Sequence, residues 1–164
     1  MRLVVDTNLM IRALLSAGPA RHFFKVAPFH HEIVYHAEQI MELRDVAARP
    51  RLNIAPQAVT ELVEHIERYG QSVVSDLDAQ FDCRDPKDNY VLVLALAGMA
   101  EIILTEDEDL LVLDPWRGIR IMRLFQFLQN HPLPKTSPVS VQSRDRSILT
   151  VHVSPMARCT PSGT

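Results

Sequence analysis

Apolar residues fall along the first 130 positions of the chain in two alternating rhythms. Short unbroken runs at 2–5 (RLVV), 32–36 (EIVYH), 101–105 (EIILT) and 119–122 (IRIM) have the length and β-branched content of buried strands. Between them lie stretches whose apolar positions recur every three or four residues, at 8–16, 20–27, 37–49, 55–70, 86–98, 107–113 and 124–130. Within 37–49, for example, Ile40, Leu43, Val46 and Ala47 make one stripe. The punctuation agrees with this division. Gly18-Pro19 separates the first two helices, Pro50 ends the third, and Pro56 and Gly70 bracket the fourth. Asp85 fits an N-cap, with Pro86 at the first helical position. VVSDL at 73–77 is one further strand candidate. Strands alternating with helices predict an α/β fold of the Rossmann-like kind, a three-layer α/β/α sandwich around a central parallel sheet.

Past His131 the pattern stops, so residues 1–130 are expected to form the domain and 131–164 a flexible Pro/Ser/Thr-rich tail. The tail holds 5 of the 11 prolines, and only SILTVHV at 147–153 could pair there, as an edge strand. Charge divides at the same point. Residues 1–130 carry 13 Lys+Arg against 19 Asp+Glu, a balance of −6, whereas 131–164 carry 4 against 1, a balance of +3. An acidic body disfavours nucleic-acid binding by bulk charge, but it suits an enzyme whose acids are neutralised by bound cations. The longest apolar run, 91–100, is half of what a membrane span needs, and no charged-then-apolar leader opens the sequence. With only Cys83 and Cys159, a reduced, cytoplasmic protein with no membrane association is expected.

Four acids recur where strand gives way to helix or helix to strand. Asp6 ends the first strand, Glu42 lies within the 37–49 helix, Asp88 sits in the first turn of the 86–98 helix, and Asp107 follows the 101–105 strand. A parallel sheet puts strand C-termini and the following helix N-termini on one edge, which gathers Asp6, Asp88 and Asp107 there. Glu42 joins them if its helix packs across that edge. Singly, each has an ordinary alternative: Asp6, Asp85 or Asp107 as a cap, Asp88 as a dipole partner, Glu42 as a solvated helix residue, and Asp109 as part of an acidic run. Together they resemble an oxygen-ligand set for Mg²⁺ or Mn²⁺, because clustered carboxylates repel unless a cation lies between them.

What is missing narrows the choice. No GxGxxG follows the first strand, no GxxxxGK[ST] loop is present, and no GxSxG elbow suggests a covalent nucleophile. The histidines, including His30, His31 and His36, lack metal-ligand spacing and read as surface or packing residues.

The segments LVVDTNLMIRALLS, MELRDVAARPRL, CRDPKDNYVLVLALAGMAEIILTEDEDLL and GIRIMRLFQFL, in that order, resemble a PIN-domain nuclease. The likeness is greatest to the bacterial VapC-like members that are toxins of toxin–antitoxin pairs, and it spans residues 1 to about 130. It implies divalent-metal-dependent (Mg²⁺ or Mn²⁺) cleavage of single-stranded RNA, leaving 5′-phosphate and 3′-hydroxyl ends. It also implies a homodimer and a cognate antitoxin. Carried over by motif, Asp6, Glu42, Asp88 and Asp107 become the catalytic metal ligands, with Asp109 as a neighbouring acid. Asn8 becomes the small polar residue that supports Asp6, and Asp85 a second supporting position. Arg12, Arg44, Arg84 and Lys87, which flank these motifs, are candidate contacts for RNA phosphates. Glu106 departs from the pattern, standing where the family usually has Gly and adding charge beside Asp107.

Two other readings compete. A haloacid-dehalogenase-like phosphatase also ends its first strand on Asp but needs a second Asp two residues on, where this chain has Asn8. A catalytically inactive PIN-like module would bind RNA or protein without cutting it; retention of all four acids argues against that, since an unneutralised acidic cluster is costly.

Overall fold

A computed structural model describes residues 1–75, 86–135 and 149–150. Among these residues the order is β1 (Arg2–Val5), α1 (Thr7–Leu15), α2 (Pro19–Val26), β2 (Glu32–Tyr35), α3 (Ala37–Ala47), α4 (Pro56–Tyr69), β3 (Gln71–Val74), α5 (Pro86–Ala97), β4 (Ile102–Leu104), α6 (Glu108–Leu111), β5 (Arg120–Met122), α7 (Leu124–Asn130) and β6 (Leu149–Thr150). Every pairing is parallel, and the strand order is β5-β4-β1-β2-β3-β6. The chain therefore moves outward from β1 through β2 to β3, then returns to the other side of β1 for β4. The junction of β1 with β4 is the point where strand order reverses, which is where open parallel sheets bind their ligands.

Strict alternation along the central strands produces the layers. Leu3, Val5, Ile33, Tyr35, Ile102, Leu104 and Met122 turn to one face, and there they join a core with residues of α1–α4 and α7. Val4, Val34, Ile103 and Ile121 turn to the other, against Val91, Leu92, Leu94 and Ala95 of α5 and Leu110 of α6. Because both faces are buried, the strands read as continuous apolar runs rather than alternating ones. Phe23 and Phe24, an apolar pair near the start of the chain, belong to the first core and are almost fully enclosed. Close packing of α5 on the sheet depends on Gly98, where a Cβ would lie 2.4 Å from Val34 Cγ1.

The third strand begins earlier than the sequence pattern suggests. Gly70 closes α4 with its amide 2.7 Å from the Ile66 carbonyl. A Cβ there would stand 2.6 Å from that oxygen and 2.8 Å from the Ile33 carbonyl. Glycine thus lets the chain pass from helix into sheet at once, and β3 occupies 71–74, starting two residues before the expected 73; residues 76 and 77 of the expected strand lie outside the described residues. The segment read as a candidate edge strand supplies Leu149 and Thr150, which pair with Val73 and Val74. Among the described residues no helix is long and apolar enough to cross a membrane.

Candidate active site

Asp6 emerges from β1 at the β1–β4 junction, its amide hydrogen-bonded to the Leu104 carbonyl at 2.9 Å. It also caps α1, with Oδ1 accepting the Asn8 amide at 3.3 Å. The capping and site readings of this residue are compatible, because only one oxygen is used for the cap. The other, Oδ2, accepts from the Thr105 hydroxyl at 2.8 Å. Only 6% of Asp6 is exposed.

Thr105, wholly buried at the end of β4, connects two acids. Its hydroxyl donates to Asp6 and accepts the Asp107 amide at 3.0 Å. Asp107 in turn caps α6, its Oδ1 accepting the Asp109 amide at 2.9 Å. Asp107 is half-buried and Asp109 is exposed.

Glu42 reaches the same edge from α3. Its Oε2 accepts from the Thr7 hydroxyl at 2.9 Å, and the Thr7 oxygen lies 2.8 Å from the Tyr90 phenol. A carboxylate only accepts, so the Thr7 proton points to Glu42 and Tyr90 must donate to Thr7. This directed chain fixes one exposed glutamate by way of two buried or half-buried hydroxyls. Gln39, one turn earlier on α3, ties the helix to the strand end by donating to the Val5 carbonyl at 2.7 Å.

Electrostatics follow from this crowding. Burial raises the Asp6 pKa above its ordinary value, and the charges of Asp107 and Glu42 add to that rise; the bonds from Thr105 and Asn8 oppose it. Burial, with the charges of Asp6 and Glu42, also raises the Tyr90 pKa and keeps the phenol protonated. Neutralising charge at this edge would relieve both groups.

The other sequence-level candidates fall out as follows. Asp88 lies in the first turn of α5, two residues before Tyr90, so its backbone is on the same edge. Asp85 and Arg84 lie outside the described residues; Lys87 is in the first turn of α5. Asn8 supports Asp6 through its backbone amide, while its side chain is exposed. Arg12 is engaged by Glu106 at 3.4 Å, and Arg44 is exposed in the last turn of α3. Among the described residues no group of three or more His, Cys, Asp or Glu side chains gathers closely enough to hold a metal ion. The donor chemistry nevertheless suits a hard divalent cation, since Asp6, Glu42 and Asp107 offer carboxylate oxygens alone.

Thr7, Thr105, Tyr90 and Glu106 make contacts with the acids of this edge or its rim that sequence reasoning did not single out. The available signal was a hydroxyl adjoining an acid at each strand end, Asp6-Thr7 and Thr105-Glu106-Asp107. Glu106 bridges Arg12 of α1 and Arg123 before α7, the latter at 3.1 Å, and Arg123 also pairs with Glu108. The residue standing in place of glycine therefore organises the rim beside Asp107.

A family profile described as PIN domain matches residues 2–109, a span that contains the four acids and both threonines. No curated protein matches the chain.

Proposed function

The chain belongs to the PIN-domain family, whose fold is of nuclease type, and on that premise we propose that its acidic edge hydrolyses phosphodiester bonds in single-stranded RNA with Mg²⁺ or Mn²⁺. The observation that carries this reading is the single Thr105 hydroxyl shared between Asp6 and Asp107 at the strand-order reversal. An isolated helix cap has no need of a buried carboxylate, a buried threonine and a second acid in series.

Asp6, Glu42, Asp88 and Asp107 would hold the cation, with Asp109 adjoining. When bound, a divalent ion supplies Lewis acidity and offsets negative charge that builds on the phosphate. The chain's own residues supply position. Thr105 aims Asp6 and anchors the Asp107 turn; Tyr90 and Thr7 orient Glu42; burial of Asp6 raises the strength of charge interactions around it. Arg12, Arg44, Arg84 and Lys87 would meet phosphates along the strand. We further propose a cytoplasmic toxin role with a cognate antitoxin and a homodimeric state, readings that extend from the likeness of motifs quoted above.

The test is incubation of purified protein with labelled single-stranded RNA of mixed sequence in Mg²⁺, Mn²⁺ or EDTA, with Asp6→Asn and Asp88→Asn proteins alongside. Metal-dependent cleavage lost in both variants supports the proposal. Equal cleavage by the wild type and both variants identifies a contaminant and removes the proposal's support; absence of both cleavage and metal binding overturns it in favour of an inactive module.

A further inference from the structure

Helix α7 buries Leu124 and Phe127 against the first core, yet Phe125 between them is 69% exposed. Gln129 lies one turn further along the same helix face, followed by Asn130, and both are exposed. Beside this face runs a polar groove of about 480 Å³ between α6, β5 and α7, lined by Arg120, Arg123, Gln126, Gln129 and Asn130 among others. Arg123 links the groove to the acidic edge, because its guanidinium bonds Glu106, the neighbour of Asp107, at 3.1 Å.

The charges in this groove are matched internally. Asp114 accepts from Arg120 in a two-pronged pair at 2.9 and 3.2 Å, and Glu106 and Glu108 engage Arg123. What the surface offers is neutral amides, each with a donor and an acceptor, next to an uncovered aromatic ring. That combination suits unpaired nucleobases, which stack on aromatic faces and hydrogen-bond through their edges, better than it suits phosphates.

We propose that Phe125, with Gln129 and Asn130, forms a base-binding subsite for single-stranded RNA, placed beside the acidic edge by Arg123. The inference rests on the reading of single-stranded RNA as substrate. A strand crossing the acids would lay a flanking base on Phe125, with its edge toward the two amides.

The test is fluorescence anisotropy of a short labelled oligoribonucleotide in EDTA at low salt, with the full chain and its Phe125→Ala and Phe125→Trp variants. Phe125→Ala should weaken binding about 5- to 100-fold while leaving the salt dependence unchanged, and Phe125→Trp should retain affinity. Thermal melts of the variants should match the wild type, since the ring is mostly exposed. Ultraviolet crosslinking of the same RNA should place an adduct on α7. Undiminished binding by Phe125→Ala, with crosslinks elsewhere, overturns the subsite and leaves the RNA reading standing. No binding by the wild type, in EDTA or with Ca²⁺ in its place, overturns both. Conversion of a dimer to a monomer by Phe125→Ala with RNA affinity unchanged also overturns the subsite, assigning this face to a protein contact.

Discussion

The Thr105 hydroxyl donates to Asp6 Oδ2 at 2.8 Å, joining residues that stand 99 positions apart and directly follow adjacent strands. Its oxygen also takes the Asp107 amide, so one buried side chain fixes two acids at once. Thr105→Val keeps the shape and removes both bonds. It should cost about 1–3 kcal/mol of stability, because a buried carboxylate oxygen and an amide lose their partner. RNA cleavage should fall further than stability does, whereas Thr105→Ser should retain most of both. Chemical denaturation beside single-turnover cleavage separates the two effects.

Burial, joined by the charges of Asp107 and Glu42, disfavours the ionised form of the Asp6 carboxylate. Its folded-state pKa lies above the unfolded value, so the protonated form favours folding and stability declines as pH rises through the raised value. In metal-free buffer at neutral pH, Asp6→Asn should therefore melt higher than the wild type, by about 2–4 °C for each kcal/mol relieved. A lower melting temperature for the variant would mean that the carboxylate's bonds outweigh its burial. This is the trade of stability for function that strained sites show.

Glu106 holds Arg12 and Arg123 at the rim, and all three side chains are at least partly exposed. Glu106→Gln should change stability by less than about 1 kcal/mol, as surface ion pairs do. It should release the Arg12 guanidinium toward phosphates, while Arg123 keeps Glu108, tightening RNA binding and steepening its salt dependence by about one phosphate contact. A salt titration of binding by the two proteins reads both quantities; parallel lines would show that the arginines serve only the fold.

His31 packs edge-on against Phe127, with His131 6.4 Å away, and its buried Nδ1 has no hydrogen-bond partner among the described residues. Burial lowers its pKa to about 4, and the positive N-terminus adds to the effect. The unfolded chain takes up this proton near pH 6.5, so the protein should lose stability as pH falls from there to about 4. The loss should be about 2 kcal/mol after discounting for partial exposure, and His31→Phe should flatten it. Denaturation midpoints across that range decide the matter.

The layered α/β architecture was legible because both sheet faces are buried, which turns each strand into an unbroken apolar run such as LVV or IIL. Asp6 was conspicuous because it breaks such a run at its end, and Asp107 because it stands in the polar stretch that follows one. The boundary of β3 was not legible, since Gly70 carries the chain straight from α4 into the sheet on the strength of close contacts with Ile66 and Ile33. The links among the site residues were hidden for a related reason. Thr7 meets Glu42 across 35 residues and Tyr90 across 83, distances over which no local periodicity speaks. Asn8 was read as the small polar residue supporting Asp6, and the bond between them comes from its backbone amide, which the residue type does not announce. Glu106, read as a departure from a glycine position, has charge partners in α1 and before α7 that only the tertiary fold brings near.

Asp6, held by Thr105, is the carboxylate around which we propose that a divalent-cation site is built. Calorimetric titration of Mn²⁺ into the metal-free wild type and its Asp6→Asn variant tests this without depending on RNA. Binding by the wild type that weakens at least about tenfold in the variant is the predicted result. Equal affinity for Mn²⁺ in the two proteins, or none in the wild type, would contradict it.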